Sequence, residues 1–174
     1  MSILKVARMG HPVLRTRARA IDLGEVRSAA FQTLIDDMIA TMLEYEGIGL
    51  AGPQVHEGVR LFVAGIENEH EKMRVLPFIN PVITPIGEEK AEGWEGCLSI
   101  PDIRGKVPRH TRVNIKALDR RGQPFELDLS DFAARVVQHE TDHLDGVLFF
   151  DRIRDFQSLA YLEEYARYHA EQTP

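Results

Sequence analysis

The stretch that decides the fold is "TRVNIKALDRRGQPFELDLSDFAARVVQHETDHLDG", residues 111 to 146. Apolar and polar side chains alternate on both sides of "RRGQ", a Gly-containing turn, so residues 111–119 and 124–130 read as an antiparallel hairpin. At Ser130 the period changes. Ser130 or Asp131 can cap a helix that runs to about Asp145, and Gly146 supplies its stop. Strands joined by short turns, without helical crossovers, imply antiparallel sheet and therefore an α+β fold.

Upstream, Val26, Phe31, Leu34, Ile35, Met38, Met42 and Leu43 recur at helical spacing, which predicts a helix over Glu25 to Glu46 with Gly47 as its end. "VRLFVAGI" (59–66) reads as a buried strand, and "ENEHEKMR" (67–74) as a solvated loop or hairpin tip. "VLPFINPVITPIG" (75–87) carries three prolines, which predicts an edge strand or an irregular segment. Downstream, Phe156, Leu159, Leu162 and Tyr165 or Ala166 predict a C-terminal amphipathic helix over about 155–171.

The chain has 174 residues, enough for a single domain, 1–174, with a substantial core. Its 44% hydrophobic and 28% charged residues are ordinary for a globular protein, and no apolar run approaches a membrane span. The basic opening "MSILKVARMGHPVLRTRARA" lacks the apolar core of a secretory signal. With one cysteine and no signal, the expected compartment is a reducing cytoplasm. Net charge is -6 and basic residues cluster weakly, at Arg15 to Arg19 and around Arg104 to Arg112. That argues against direct sequence-reading of nucleic acid.

Within "QHETDHLDG" (138–146), His139 and His143 stand four apart, so both imidazoles leave one helical face and can grip one cation. Glu140 is placed to take a proton from a water on that cation. Two histidines need a third protein ligand, with one position left open for chemistry. The pattern H-E-x-x-H-x-x-G-x-x-H fails, because Phe149 stands where the last histidine belongs. A thermolysin-like scheme would use Glu163 or Glu164, although both also fit a solvated helix face. The third scheme uses Cys97, in "GWEGCLSIPD" (93–102), which on composition alone reads as a small buried hydrophobe. As a thiolate it is a strong ligand for zinc or ferrous iron.

Three stretches, "GIGLAGPQ" (47–54), "EGCLS" (95–99) and "QHETDHLDG" (138–146), resemble the signature motifs of peptide deformylases in order and spacing. "RMGHPVLR" and "GVLFFDRI" extend the resemblance over essentially the whole chain. The resemblance implies antiparallel strands around a central metal-binding helix, with an N-terminal and a C-terminal helix. It implies one divalent metal held by Cys97, His139 and His143, with a water or hydroxide in the fourth position as nucleophile. Ferrous iron is the implied natural metal, with zinc, nickel or cobalt able to substitute. The implied reaction removes the formyl group from N-formylmethionyl nascent peptides and releases formate, in a bacterial cytoplasm. Glu140 acts as base and then acid. Gln54, whose amide donates without titrating, and the backbone N–H of Leu98 are the implied oxyanion donors.

Three glycines in "GIGLAG" let the backbone approach a ligand, and the resemblance has Ile48 and Gly49 pairing with an extended peptide. Gly52 stands where the family usually has alanine, which should loosen local packing. Phe132 and Val136 share the helical face of His139 and are expected to line a methionine pocket or the core. Arg135, also near that face, is expected to bind substrate at the methionine pocket, where it resembles an organellar subgroup and alters the pocket's width and polarity; otherwise it is a surface partner for Asp131. Trp94 is expected as pocket wall or strand packing, Glu95 as a residue of the substrate site and anchor of the cysteine loop through an arginine, and Arg104 as a contact for the downstream peptide. His11, His56, His70, His110 and His169 show no metal-like spacing. The resemblance raises transient ribosome association through the last helix, but Glu163, Glu164 and Glu171 against Arg167 make that helix a poor match for RNA.

Overall fold

The computed structural model describes residues 2–67 and 73–170. In chain order its elements are α1 (Leu23–Val26), α2 (Ala29–Glu44), β1 (Gly49–Ala51), β2 (Leu61–Glu67), β3 (Met73–Pro85), β4 (Lys90–Cys97) and β5 (Ile100–His110). There follow β6 (Arg112–Leu118), β7 (Pro124–Ser130), α3 (Asp131–Leu144), β8 (Ala160–Tyr161) and α4 (Leu162–Tyr168). The strands form a five-stranded sheet ordered β1-β2-β3-β6-β7 and a three-stranded sheet ordered β4-β5-β8. Every named strand pair is antiparallel, giving the expected α+β fold. No described helix is long and apolar enough to cross a membrane.

β2 explains why "VRLFVAGI" reads as unbroken apolar sequence. Its Leu61 and Val63 join Phe31, Ile35, Met38 and Met42 of α2 on one side of the sheet. Phe62, Ala64 and Ile66 join Ala134, Val136, Val137 and Leu144 of α3 on the other. Both faces of the strand are therefore covered, and Phe62 stacks on Phe78 at 4.6 Å. Burying each large side chain of this kind contributes about 1.5–3 kcal/mol. The hairpin β6–β7 is one-sided instead: Val113, Ile115 and Ala117 are buried while Arg112 and Lys116 face out. A third cluster, with Leu14, Cys97, Ile100, Val107 and Phe149, packs the smaller sheet. The metal-motif helix α3 thus touches strands of both sheets.

Four expectations need correction. The first helix is broken after Val26, because the Ser28 hydroxyl accepts from Phe31 N at 3.2 Å and starts α2 afresh. The proline-rich segment is the middle strand of the large sheet rather than an edge. β3 pairs with β2 through Ile79 and with β6 from Ile79 onward, so Pro77 has no second neighbour needing its missing N–H. Pro81 sits in the register shift between Ile79 and Val82, where the ladder makes no demand on it. Ser130 is the N-cap residue of α3 but its side chain makes no capping bond; Asp131 N donates to Thr111 O at 2.8 Å. The expected helix over 155–171 is a short 3-10 turn (Phe156–Ser158), the two-residue β8, and α4. The tip of "ENEHEKMR" with His70, and Glu171, lie outside the described residues.

Candidate metal centre

α3 carries His139 and His143 on one face, one turn apart, with ring centroids 4.9 Å from each other. Cys97 arrives from the other sheet. It ends β4, and only Leu98 and Ser99 separate it from Ile100 of β5, its cross-strand partner. A bulge between Glu95 and Cys97 re-aims the strand at this point. The Cys97 Sγ lies 3.3 Å from His143 Nε2, and one ligand atom from each of Cys97, His139 and His143 lies within 4.8 Å of the others. Among the described residues no glutamate joins that cluster, and Glu164 instead pairs with Arg167 at 3.3 Å.

Burial opposes ionisation of the Cys97 thiol, yet His143 and His139 together hold it well below the ordinary thiol value. Burial likewise opposes charging His139, but Cys97 and Glu95 hold its pKa well above the ordinary imidazole value. Cys97 and His139 thus favour each other's charged forms, a balance that a divalent cation also supplies. A soft thiolate with two imidazoles is a donor set for zinc or ferrous iron. Glu95 Oε2 takes the Nδ1 of His139 at 2.9 Å, which turns the other ring nitrogen toward the cluster. The residues present fit a metal.

Glu140, next to His139 on α3, is buried, with its Oε2 lacking any partner among the described residues. Burial pushes its carboxyl up to about 7, against the opposing pull of His139 and His143. A carboxyl poised there can take and return a proton near neutrality. Gln54 follows β1 in a short 3-10 turn (Gly52–Val55). Its Oε1 accepts from Ala51 N at 2.9 Å, so its amide nitrogen faces the site, 3.4 Å from Cys97 Sγ and 3.2 Å from Ser99 Oγ. Gly52 is there for space rather than looseness: a Cβ would stand 2.8 Å from Glu57 O and 2.9 Å from Val59 O.

A cleft of about 770 Å³ opens over this centre. Ile48, Gly49, Leu98, Phe132, Arg135 and Val136 all contribute to its wall. Phe132 is 61% exposed at the rim, whereas Val136 is buried. Trp94 and Arg104 also reach the cleft; Trp94 packs at 5.0 Å on both Tyr165 and His169, joining α4 to β4. Among the described residues β1 pairs with β2 alone, and its residue Gly49 lines the cleft.

Glu95 reaches the cleft wall, but its oxygens are taken by protein groups. Arg109 of β5 grips it with Nε and Nη2 at 2.9 and 3.0 Å, and Arg135 Nη1 adds a bond at 2.9 Å. Burial raises the Glu95 carboxyl, yet His139 and Arg109 hold it well below the usual carboxylate range. Arg135 therefore pairs with Glu95 and not with Asp131. Arg109 also reaches Asp142 at 2.5 Å, and Arg152 closes the chain on Asp142 at 2.8 Å. Sequence reasoning missed Arg109, Asp142 and Arg152. Only the place of Asp142, three residues after His139 on the same face, offered a signal.

Comparison with known proteins follows the same lines. The family model described as polypeptide deformylase matches residues 3–158. Peptide deformylase 2 of a Nostoc species is 42% identical over 168 residues, spanning 94% of this chain and 93% of the relative. Peptide deformylase 1 of Nitrosomonas europaea is 40% identical, spanning 92% and 93%. Among solved structures, the Met-Ala-Ser-bound class I type b peptide deformylase from Acinetobacter baumannii matches with TM-score 0.82 and 40% identity, over 88% of this chain and all of that one. The Thermotoga maritima peptide deformylase matches with TM-score 0.81 and 38% identity, over 89% of this chain and all of that one.

Proposed function

The chain belongs to the polypeptide deformylase family, and on that premise we propose that Cys97, His139 and His143 hold its catalytic metal. It is a hydrolase that removes the N-formyl group from newly made polypeptides. The observation that carries the residue assignment is the convergence of three ligand atoms within 4.8 Å beside a buried, unpartnered carboxylate oxygen.

The sulfur and two nitrogens suit ferrous iron as the resident metal, with zinc, nickel or cobalt as substitutes. Bound there, a divalent metal supplies Lewis acidity that polarises the formyl carbonyl and eases loss of a proton from water. Glu140 takes that proton and returns it to the leaving amine, one carboxylate serving in turn as base and acid. Gln54 donates its amide N–H to the developing oxyanion, and the backbone N–H of Leu98 is the second donor. The locked Gln54 carbonyl supports this reading, because only the amide nitrogen can face the substrate. Ile48 and Gly49, on the open edge of β1, pair with the extended peptide without reading its side chains. Phe132 and Val136 border the methionine side chain. Glu95 orients His139 and does not itself touch substrate.

Formylated nascent chains place the work in a bacterial cytoplasm, beside the ribosome. α4 sets Glu163 and Glu164 against Arg167 and offers RNA no basic face, so ribosome association is expected to be transient at most. The test is formate release from formyl-Met-Ala-Ser by protein loaded anaerobically with ferrous iron. Turnover is expected, with Cys97→Ala losing the metal. Glu140→Ala is expected to keep the metal and lose at least about 10²-fold in kcat. No turnover by fully metal-loaded protein would overturn the assignment. So would metal retention in Cys97→Ala with loss in a Glu163 or Glu164 variant, the outcome of the thermolysin-like scheme.

A further inference from the structure

The two histidines and the cysteine belong to different parts of the fold. α3 packs its apolar face on the five-stranded sheet, while Cys97 ends a strand of the three-stranded one. Metal–ligand bonds tolerate only a few tenths of an ångström, so something must hold helix and hairpin in register.

Arg135 is the only arginine on α3, and it crosses to both strands of the β4–β5 hairpin. Its Nη1 donates to Glu95 Oε1 at 2.9 Å and to Val107 O at 2.7 Å, with Gly93 O at 3.4 Å. Its Nη2 donates to Ala91 O at 2.8 Å. The side chain is 13% exposed, so it borders the cleft while its fork is spent on the protein. Gly93 makes the seat: a Cβ there would stand 2.8 Å from Cζ and Nη2 and 3.0 Å from Nε. Seven residues along the same helical face, Asp142 forms a second tie to the hairpin through Arg109. His139 lies between the two ties, four residues after one and three before the other.

We propose that Arg135, seated over Gly93, is a positioning residue that holds the Cys97 hairpin at ligand distance from His139 and His143. The proposal rests on the metal reading above. Three of its four acceptors are backbone carbonyls, so the tie depends on the path of β4 and β5 and not on substrate. A planar fork can satisfy these acceptors together; a lysine ammonium cannot match the geometry.

The experiment titrates metal-free protein with Co²⁺ under anaerobic conditions. Chelator competition gives Kd, and the thiolate-to-cobalt absorption band reports whether Cys97 coordinates. Arg135→Met is expected to weaken Co²⁺ binding about 10- to 100-fold and to shift the band. Gly93→Ala, which retains every atom of Arg135, is expected to act in the same direction, and Arg135→Lys to recover only part of the loss. The double variant is expected to bind no more weakly than the weaker single one, because both changes break one tie. If Arg135→Met does not fold, Gly93→Ala carries the same test. An unchanged Kd and band together with a raised KM would make Arg135 a substrate contact and overturn the proposal. Multiplying losses in the double variant would also overturn it, by uncoupling Gly93 from Arg135. Failure of the unsubstituted protein to bind Co²⁺ at all would instead strike the metal reading, and this proposal with it.

Discussion

Replacing Gly49 with alanine sets a methyl group against Glu140, the side chain proposed to carry the proton. An added Cβ would lie 2.3 Å from Oε1 of Glu140, 2.7 Å from Cδ and 2.8 Å from Cγ. Carbon contacts settle near 3.5 Å or more, so the carboxyl must retreat by about 1 Å. The backbone cannot yield in its place, because Val136, Val137 and Leu144 lock α3 into the core. A displacement of that size at a reacting group costs about 10²-fold in rate. That is about 2.7 kcal/mol on the barrier, within the range expected for a general base. Formate release by metal-loaded Gly49→Ala should therefore show kcat down about 10²-fold, with metal content unchanged. The methyl also sits on the β1 edge where the peptide is expected to lie, so KM can rise too; kcat isolates the effect on Glu140. Gly49→Ala/Glu140→Gln should be no slower than Glu140→Gln alone, since the displaced group is already disabled. A kcat for Gly49→Ala within about threefold of the parent, under half of one RT-scaled decade, would refute the reasoning. So would a double variant slower than Glu140→Gln by a further large factor.

Glu95→Gln removes the charge facing Arg109, Arg135 and His139, and should cost about 3 kcal/mol at pH 6 by urea unfolding. Because the folded carboxyl is held below its ordinary value of 4.5, its contribution is full above that value and fades as pH falls. The gap between parent and variant should narrow below pH 4.5; a gap independent of pH would contradict this. Glu140 works with the opposite sign in metal-free protein. Its carboxyl is raised from 4.5 to about 7, so stability present below 4.5 is lost as pH rises through about 7. Glu140→Gln should remove that slope, worth on the order of 3 kcal/mol, and an unaltered slope would refute it. Gly52→Ala forces a methyl against two backbone oxygens and should lower stability by about 1–3 kcal/mol, read as a drop in melting temperature; no drop would mean that the turn relaxes freely.

The change of period at Ser130 was legible because hairpin and helix patterns are local, and β2 was legible because a strand covered on both faces has no polar side. β3 departs from the expected edge position for a physical reason. Proline excludes a strand from a sheet centre only if every residue must donate, and a strand that changes partner midway relieves Pro77 and Pro81 of that duty. Helical spacing overextends the last helix because Phe156 is largely exposed and, among the described residues, joins no core cluster.

By itself the sequence determined the candidate metal-binding face. His139, Glu140 and His143 are spaced by the helix, so their relation follows from 3.6 residues per turn. It left Cys97 among several candidates until the motif resemblance singled it out, because ligand spacing across two sheets leaves no periodic mark. Only the tertiary structure decided where Glu95 and Arg135 sit and what they touch. A carboxylate and a guanidinium forty residues apart are surface groups by composition, and become a buried pair only when the hairpin folds onto α3.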